Sequence, residues 1–75
     1  MERIVTNPEV LGGKPIIRGT RLSVEFILEL LASGMTKEEI LADYPHITEE
    51  DLYAVLEYAA HALKGEVYVP FEKVS

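Results

Sequence analysis

The chain has 75 residues, 48% hydrophobic and 27% charged with a net charge of −6, which describes one small globular domain and argues against a disordered chain. It has no cysteine, which excludes a disulfide framework and a thiolate metal site and fits a reducing, cytoplasmic setting. Glu25, Glu29 and Ser33 break its longest apolar stretches, so nothing approaches the roughly 20 residues of a membrane span.

In chain order, an arm over residues 1–22 precedes a helical core over 23–65 and an extended tail over 66–75. Met1-Glu2-Arg3 opens the arm without the basic and apolar run of a signal peptide. Ile4-Val5-Thr6 is β-branched and reads as a short strand, stopped by Asn7-Pro8. Gly12-Gly13 and Gly19 supply permissive backbone, Pro15 fixes one φ angle, and Ile16-Ile17 is a candidate partner strand.

Helix one is expected from Ser23, a good N-cap, with Glu25 favoured at the positive end of the helix dipole. Val24, Ile27, Leu28 and Leu31 mark its buried stripe, and Phe26 and Leu30 widen it. Gly34 is expected to end it in a left-handed cap. Thr36-Lys37-Glu38-Glu39 has capping-box spacing and opens helix two, with Ile40 and Leu41 as core anchors and Tyr44-Pro45 as its stop. The device recurs at Thr48-Glu49-Glu50-Asp51, where Asp51 is a shorter stand-in for Glu or Gln. Leu52, Val55, Leu56, Ala59 and Leu63 then form an apolar stripe on helix three, with Gly65 as its close. Beyond it, Glu66 to Phe71 alternates like an edge strand or a docking tail, and Pro70 excludes a central strand position. A short second helix, a turn over 45–48 and a longer third helix make a helix-turn-helix pattern.

The segment from Gly12 to Leu22, with its Gly-Gly-Lys-Pro and Gly-Thr-Arg runs, resembles the domain-of-unknown-function family 433. The likeness continues through Ile27 to Leu31, the Gly34 break, Glu38 to Leu41, Tyr44 to Thr48 and Asp51-Leu52, covering roughly Ile4 to Leu63. The resemblance implies a homeodomain-like helical fold and a bacterial or archaeal source, so that with the strands read above the expectation is a mainly α fold of three helices with a short β arm. It also implies the antitoxin half of a toxin–antitoxin pair, whose toxin would be a PIN-like ribonuclease.

Charge separates the functional readings. Residues 1–23 carry Arg3, Lys14, Arg18 and Arg21 against Glu2 and Glu9, whereas the rest sets Lys37, Lys64 and Lys73 against eleven carboxylates. Recognition helices present cations and amides to DNA, but the first turn of helix three offers Glu49, Glu50 and Asp51, which would repel phosphate. The arm is the candidate contact: Lys14, Arg18, Thr20 and Arg21 could meet a nucleic acid or a protein, or simply pair with the acidic helices. Tyr53 and Tyr58 lie largely off the stripe of helix three, and with Tyr68 and Phe71 of the tail they are candidate partner or homodimer contacts.

Catalysis finds no constellation. Gly12-Gly13-Lys14 lacks phosphate-loop spacing, and Pro15 stands where Ser or Thr would hold magnesium. Glu57 and His61 are an i, i+4 pair that supplies two metal ligands without a third, and His46 is a turn residue beside Pro45. The expectation is a binding protein with no cofactor or metal, partnered by a second copy of itself and by a toxin protein. A dimeric DNA-binding regulator is the alternative.

Overall fold

A two-stranded ribbon opens the fold. β1 (Ile4–Val5) pairs antiparallel with β2 (Ile16–Ile17), placing Ile4 opposite Ile17 and Val5 opposite Ile16. This and all that follows comes from a computed structural model that describes residues 2–66, and for 65 and 66 the backbone alone. The other edge of β2 is also used: Ile17 N–H donates to the Leu22 carbonyl at 2.9 Å, and Val24 N–H to the Pro15 carbonyl at 2.9 Å. Between them the chain reverses at Gly19, whose φ of +81° suits glycine. The arm is thereby stitched to the start of the first helix.

The three helices are α1 (Val24–Ala32), α2 (Lys37–Asp43) and α3 (Glu49–His61). Ser23 Oγ caps α1 by accepting from Phe26 N–H at 2.9 Å. Its far end is a Schellman motif: Gly34 at φ +103° donates to Leu31, and Met35 N–H donates to the Leu30 carbonyl. Both expected capping boxes form. Glu39 N–H donates to Thr36 Oγ1 at 3.1 Å and Thr36 N–H to Glu39 Oε1 at 2.8 Å. Asp51 N–H donates to Thr48 Oγ1 at 3.2 Å and Thr48 N–H to Asp51 Oδ2 at 2.9 Å. Each box satisfies two backbone donors that a helix terminus would otherwise leave orphaned.

The core gathers Ile17 of β2, Val24 and Ile27 of α1, Ile40 of α2, Ile47 of the turn, and Leu52 and Val55 of α3. Phe26 and Tyr44 meet edge to face, ring centroids 6.0 Å apart, and fasten α1 to the end of α2. On α1, Leu28 and Leu31 are only partly buried.

On α3 the expected stripe holds at Leu52 and Val55 but fails at Leu56 and Leu63, which are 45% and 66% exposed. With 3.6 residues per turn, Asp51, Leu52 and Val55 centre the buried face of α3 and Leu56 falls at its rim, while Leu63 lies beyond the end of α3. Gly65, expected to close the helix, lies instead within a wide π turn over Ala62–Glu66. The expected strand or docking tail from Val67 onward, with Tyr68 and Phe71, lies outside the described residues.

Candidate partner-binding site

The start of α3 is anchored by the buried Asp51. Its Oδ2 closes the capping box, and its Oδ1 accepts from Arg3 Nη1 at 3.0 Å, so β1 is pinned beside the start of α3. At the same first turn, Lys37 of α2 donates to Glu49 Oε2 and, at 3.3 Å, to the Tyr53 hydroxyl, which itself donates to Glu49 at 3.1 Å. The ammonium also stands 5.5 Å from the Tyr53 ring centroid. Hydrogen bonds from Lys37 and then Tyr53 hold the Glu49 carboxyl below its usual range, and the same carboxylate raises Lys37.

This pairing redistributes the charge that the sequence places on the first turn. Of Glu49, Glu50 and Asp51, the first is answered by Lys37 and the last by Arg3. Glu50 is the first-turn carboxylate with no ion pair among the described residues. Between β1 and α3 runs a groove of roughly 660 Å³, lined by Glu2, Arg3 and Ile4 on one side and Glu50, Tyr53, Ala54, Glu57, Tyr58 and His61 on the other. Three carboxylates line it against one guanidinium, already taken by Asp51. Tyr53 and Tyr58 are 54% and 40% exposed. His61 Nε2 lies 3.8 Å from Glu57 Oε2, a loose surface pair. Among the described residues no group of three His, Asp or Glu side chains could hold a metal, and no helix is long and apolar enough to cross a membrane.

The arm residues are placed differently. Lys14 Nζ donates to Glu25 of α1 at 3.0 Å, and that pairing raises the lysine. Arg18 Nε donates to the Glu2 carbonyl at 2.6 Å, and its backbone N–H to the Arg3 carbonyl. Thr20 Oγ1 donates to the Ile17 carbonyl at 2.8 Å and accepts from Leu22 N–H at 3.0 Å, locking its own turn. Arg21 is exposed and shares a groove wall with Lys14. The four candidate contacts of the arm therefore do not form one basic patch: Arg18 and Thr20 are engaged within the ribbon, while Lys14 and Arg21 belong to another surface. Sequence reasoning also missed Arg3 and Lys37, whose partners lie far off in the chain. The available signal was Asp51 itself, since a capping aspartate leaves its second oxygen beside the helix start.

Residues 4–59 match the sequence profile of the family described as "Protein of unknown function (DUF433)". The uncharacterized protein y4eO of Sinorhizobium fredii is 34% identical over 65 residues, covering 85% of this chain and 29% of that protein. A crystal structure of a DUF433 member protein from Anabaena variabilis superposes with a TM-score of 0.79 at 36% identity, covering 81% of this chain and 60% of that one. The chain thus spans less than a third of one relative and three-fifths of the other.

Proposed function

This chain belongs to the DUF433 family, and from that premise we propose that it is a non-catalytic binding protein whose groove between β1 and α3 takes a basic surface of a partner protein. The observation that carries this reading is the chemistry of the face that a helix-turn-helix protein would turn toward DNA. There, Glu2, Glu50 and Glu57 stand with Tyr53 and Tyr58, and the nearby cations Arg3 and Lys37 are committed to Asp51 and Glu49. Phosphate meets repulsion on such a face. An arginine or lysine side chain meets carboxylates for its charge and aromatic faces for its stem.

Taken with the family resemblance, the role that fits such a surface is that of an antitoxin. A ribonuclease attracts RNA through positive potential, and an acidic groove can cover that surface by complementarity of charge. The toxin partner we assign is a PIN-like ribonuclease. Co-expression with the product of an adjacent reading frame tests this: co-purification that Glu50→Lys and Glu57→Lys together abolish supports it, and failure of the two products to bind contradicts it.

A dimeric DNA-binding regulator is the second reading, favoured by the helix-turn-helix order of α2 and α3. For self-association we assign Leu56 on α3 and Leu63 in the turn that follows it, both exposed. A gel shift on the chain's own upstream DNA separates the readings, since a regulator must retard that duplex and the acidic groove would not.

A further inference from the structure

The Gly12-Gly13 turn holds Leu11 at φ +52°, the only non-glycine residue with positive φ among those described. Three consecutive residues, Leu11 to Gly13, adopt positive φ. Leucine rarely enters this region. Here it does so in a residue that stays 43% exposed, outside the core. Leu11 instead joins the partly buried Leu22 and Phe26 as the apolar wall of a groove of roughly 390 Å³, whose remaining lining residues are Lys14, Arg21 and Ser23. The groove has an apolar floor and a cationic rim, and no carboxylate lines it.

We propose that this groove docks an acidic, apolar-bearing segment of a partner protein, seating an aliphatic or aromatic side chain among Leu11, Leu22 and Phe26 and a carboxylate against Arg21 and Lys14. Charge complementarity identifies the occupant. Among the described residues no carboxylate lies within ion-pair distance of Arg21. Its planar guanidinium matches a carboxylate with two parallel hydrogen bonds. Lys14 does pair with Glu25, but both side chains are more than half exposed, and such a pair exchanges partners at little cost. A nucleic-acid phosphate would use the two cations and leave the three apolar side chains against water. A peptide uses both. The groove shares no lining residue with the acidic one between β1 and α3, and its sign is opposite, so the two sites stand or fall separately.

The test is a titration of the full-length, ¹⁵N-labelled chain, followed by amide shifts. The probes are a capped Leu-Asp-Phe-Glu peptide, its Leu-Lys-Phe-Lys counterpart and a short duplex DNA. The acidic peptide should shift residues 11–14 and 21–26 at millimolar concentration, and Arg21→Glu should weaken it about tenfold or more. Leu11→Gly keeps the fold, relieves the positive φ and removes the apolar wall, so it should raise Tm while losing the peptide. An equal response to the basic peptide, no response in these residues, or displacement of the acidic peptide by duplex DNA would each overturn the proposal.

Discussion

Arg3 and Asp51, 48 residues apart in sequence, meet at 3.0 Å, and through them the first strand is held against the start of the third helix. The aspartate is 9% exposed and answers two donors at once, the Arg3 guanidinium and the Thr48 backbone. Breaking it from either side is therefore unequal.

Asp51→Ala leaves Thr48 Oγ1 capping the backbone of residue 51 but removes the reciprocal bond from Thr48 N–H as well as the ion pair, and should cost about 1.5–3 kcal/mol. Arg3→Ala leaves the capping box intact and removes a pair whose arginine is 47% exposed, so its cost should stay within about 1 kcal/mol. Urea denaturation of both single variants and the double variant measures this, and the pair should show non-additivity of at least about 0.5 kcal/mol.

The Lys37–Glu49 pair should give stability a pH dependence with a defined sign. Glu49 has a folded value below its ordinary one, so its contribution is present at neutral pH and is lost as pH falls below 4.5 toward the folded value. Lys37 is raised, so its contribution is full below 10.5 and is lost as pH rises through its folded value. Lys37→Met should therefore have a lower Tm than the parent at neutral pH, with the gap closing in acid. Both groups are exposed, so added salt should narrow the gap as well.

Leu52 and Leu56 test where the core stops. Leu52→Ala, at 2% exposure, should cost about 2–5 kcal/mol. Leu56→Ser, at 45% exposure, should stay near 0.5 kcal/mol in the monomer. Light scattering completes this test, since the parent should be dimeric at high concentration and Leu56→Glu with Leu63→Glu should be monomeric.

The parts of the fold legible in the sequence are those whose physics is local. Ser23, the two Thr-led boxes and Gly34 each act within a few residues, and each appears in the structure in its expected role. The exposure of Leu56 and Leu63 follows instead from which side of α3 its neighbours cover and from where α3 ends, neither of which an apolar stripe encodes. Arg3 and Lys37 bind carboxylates on a different element, and separation in sequence hides such pairs. In the arm, the Gly-rich motif marked an unusual backbone, but its consequence falls on the preceding residue, Leu11, which composition presents as an ordinary apolar residue. The acidic character of α3 was legible, while the carboxylates that line the groove beside it are Glu2, Glu50 and Glu57 rather than the whole first turn.

The central claim is that the groove between β1 and α3 takes a basic protein surface. Its most direct measurement is the affinity of the chain for a co-expressed PIN-like ribonuclease, compared between the parent and the Glu50→Lys, Glu57→Lys double variant at two salt concentrations. Both substitutions are exposed, so the variant should fold like the parent by circular dichroism. The expected result is salt-sensitive binding by the parent and a loss of about 100-fold or more in the variant, corresponding to roughly 1.4 kcal/mol per tenfold step. Binding of equal strength by parent and variant would contradict the claim.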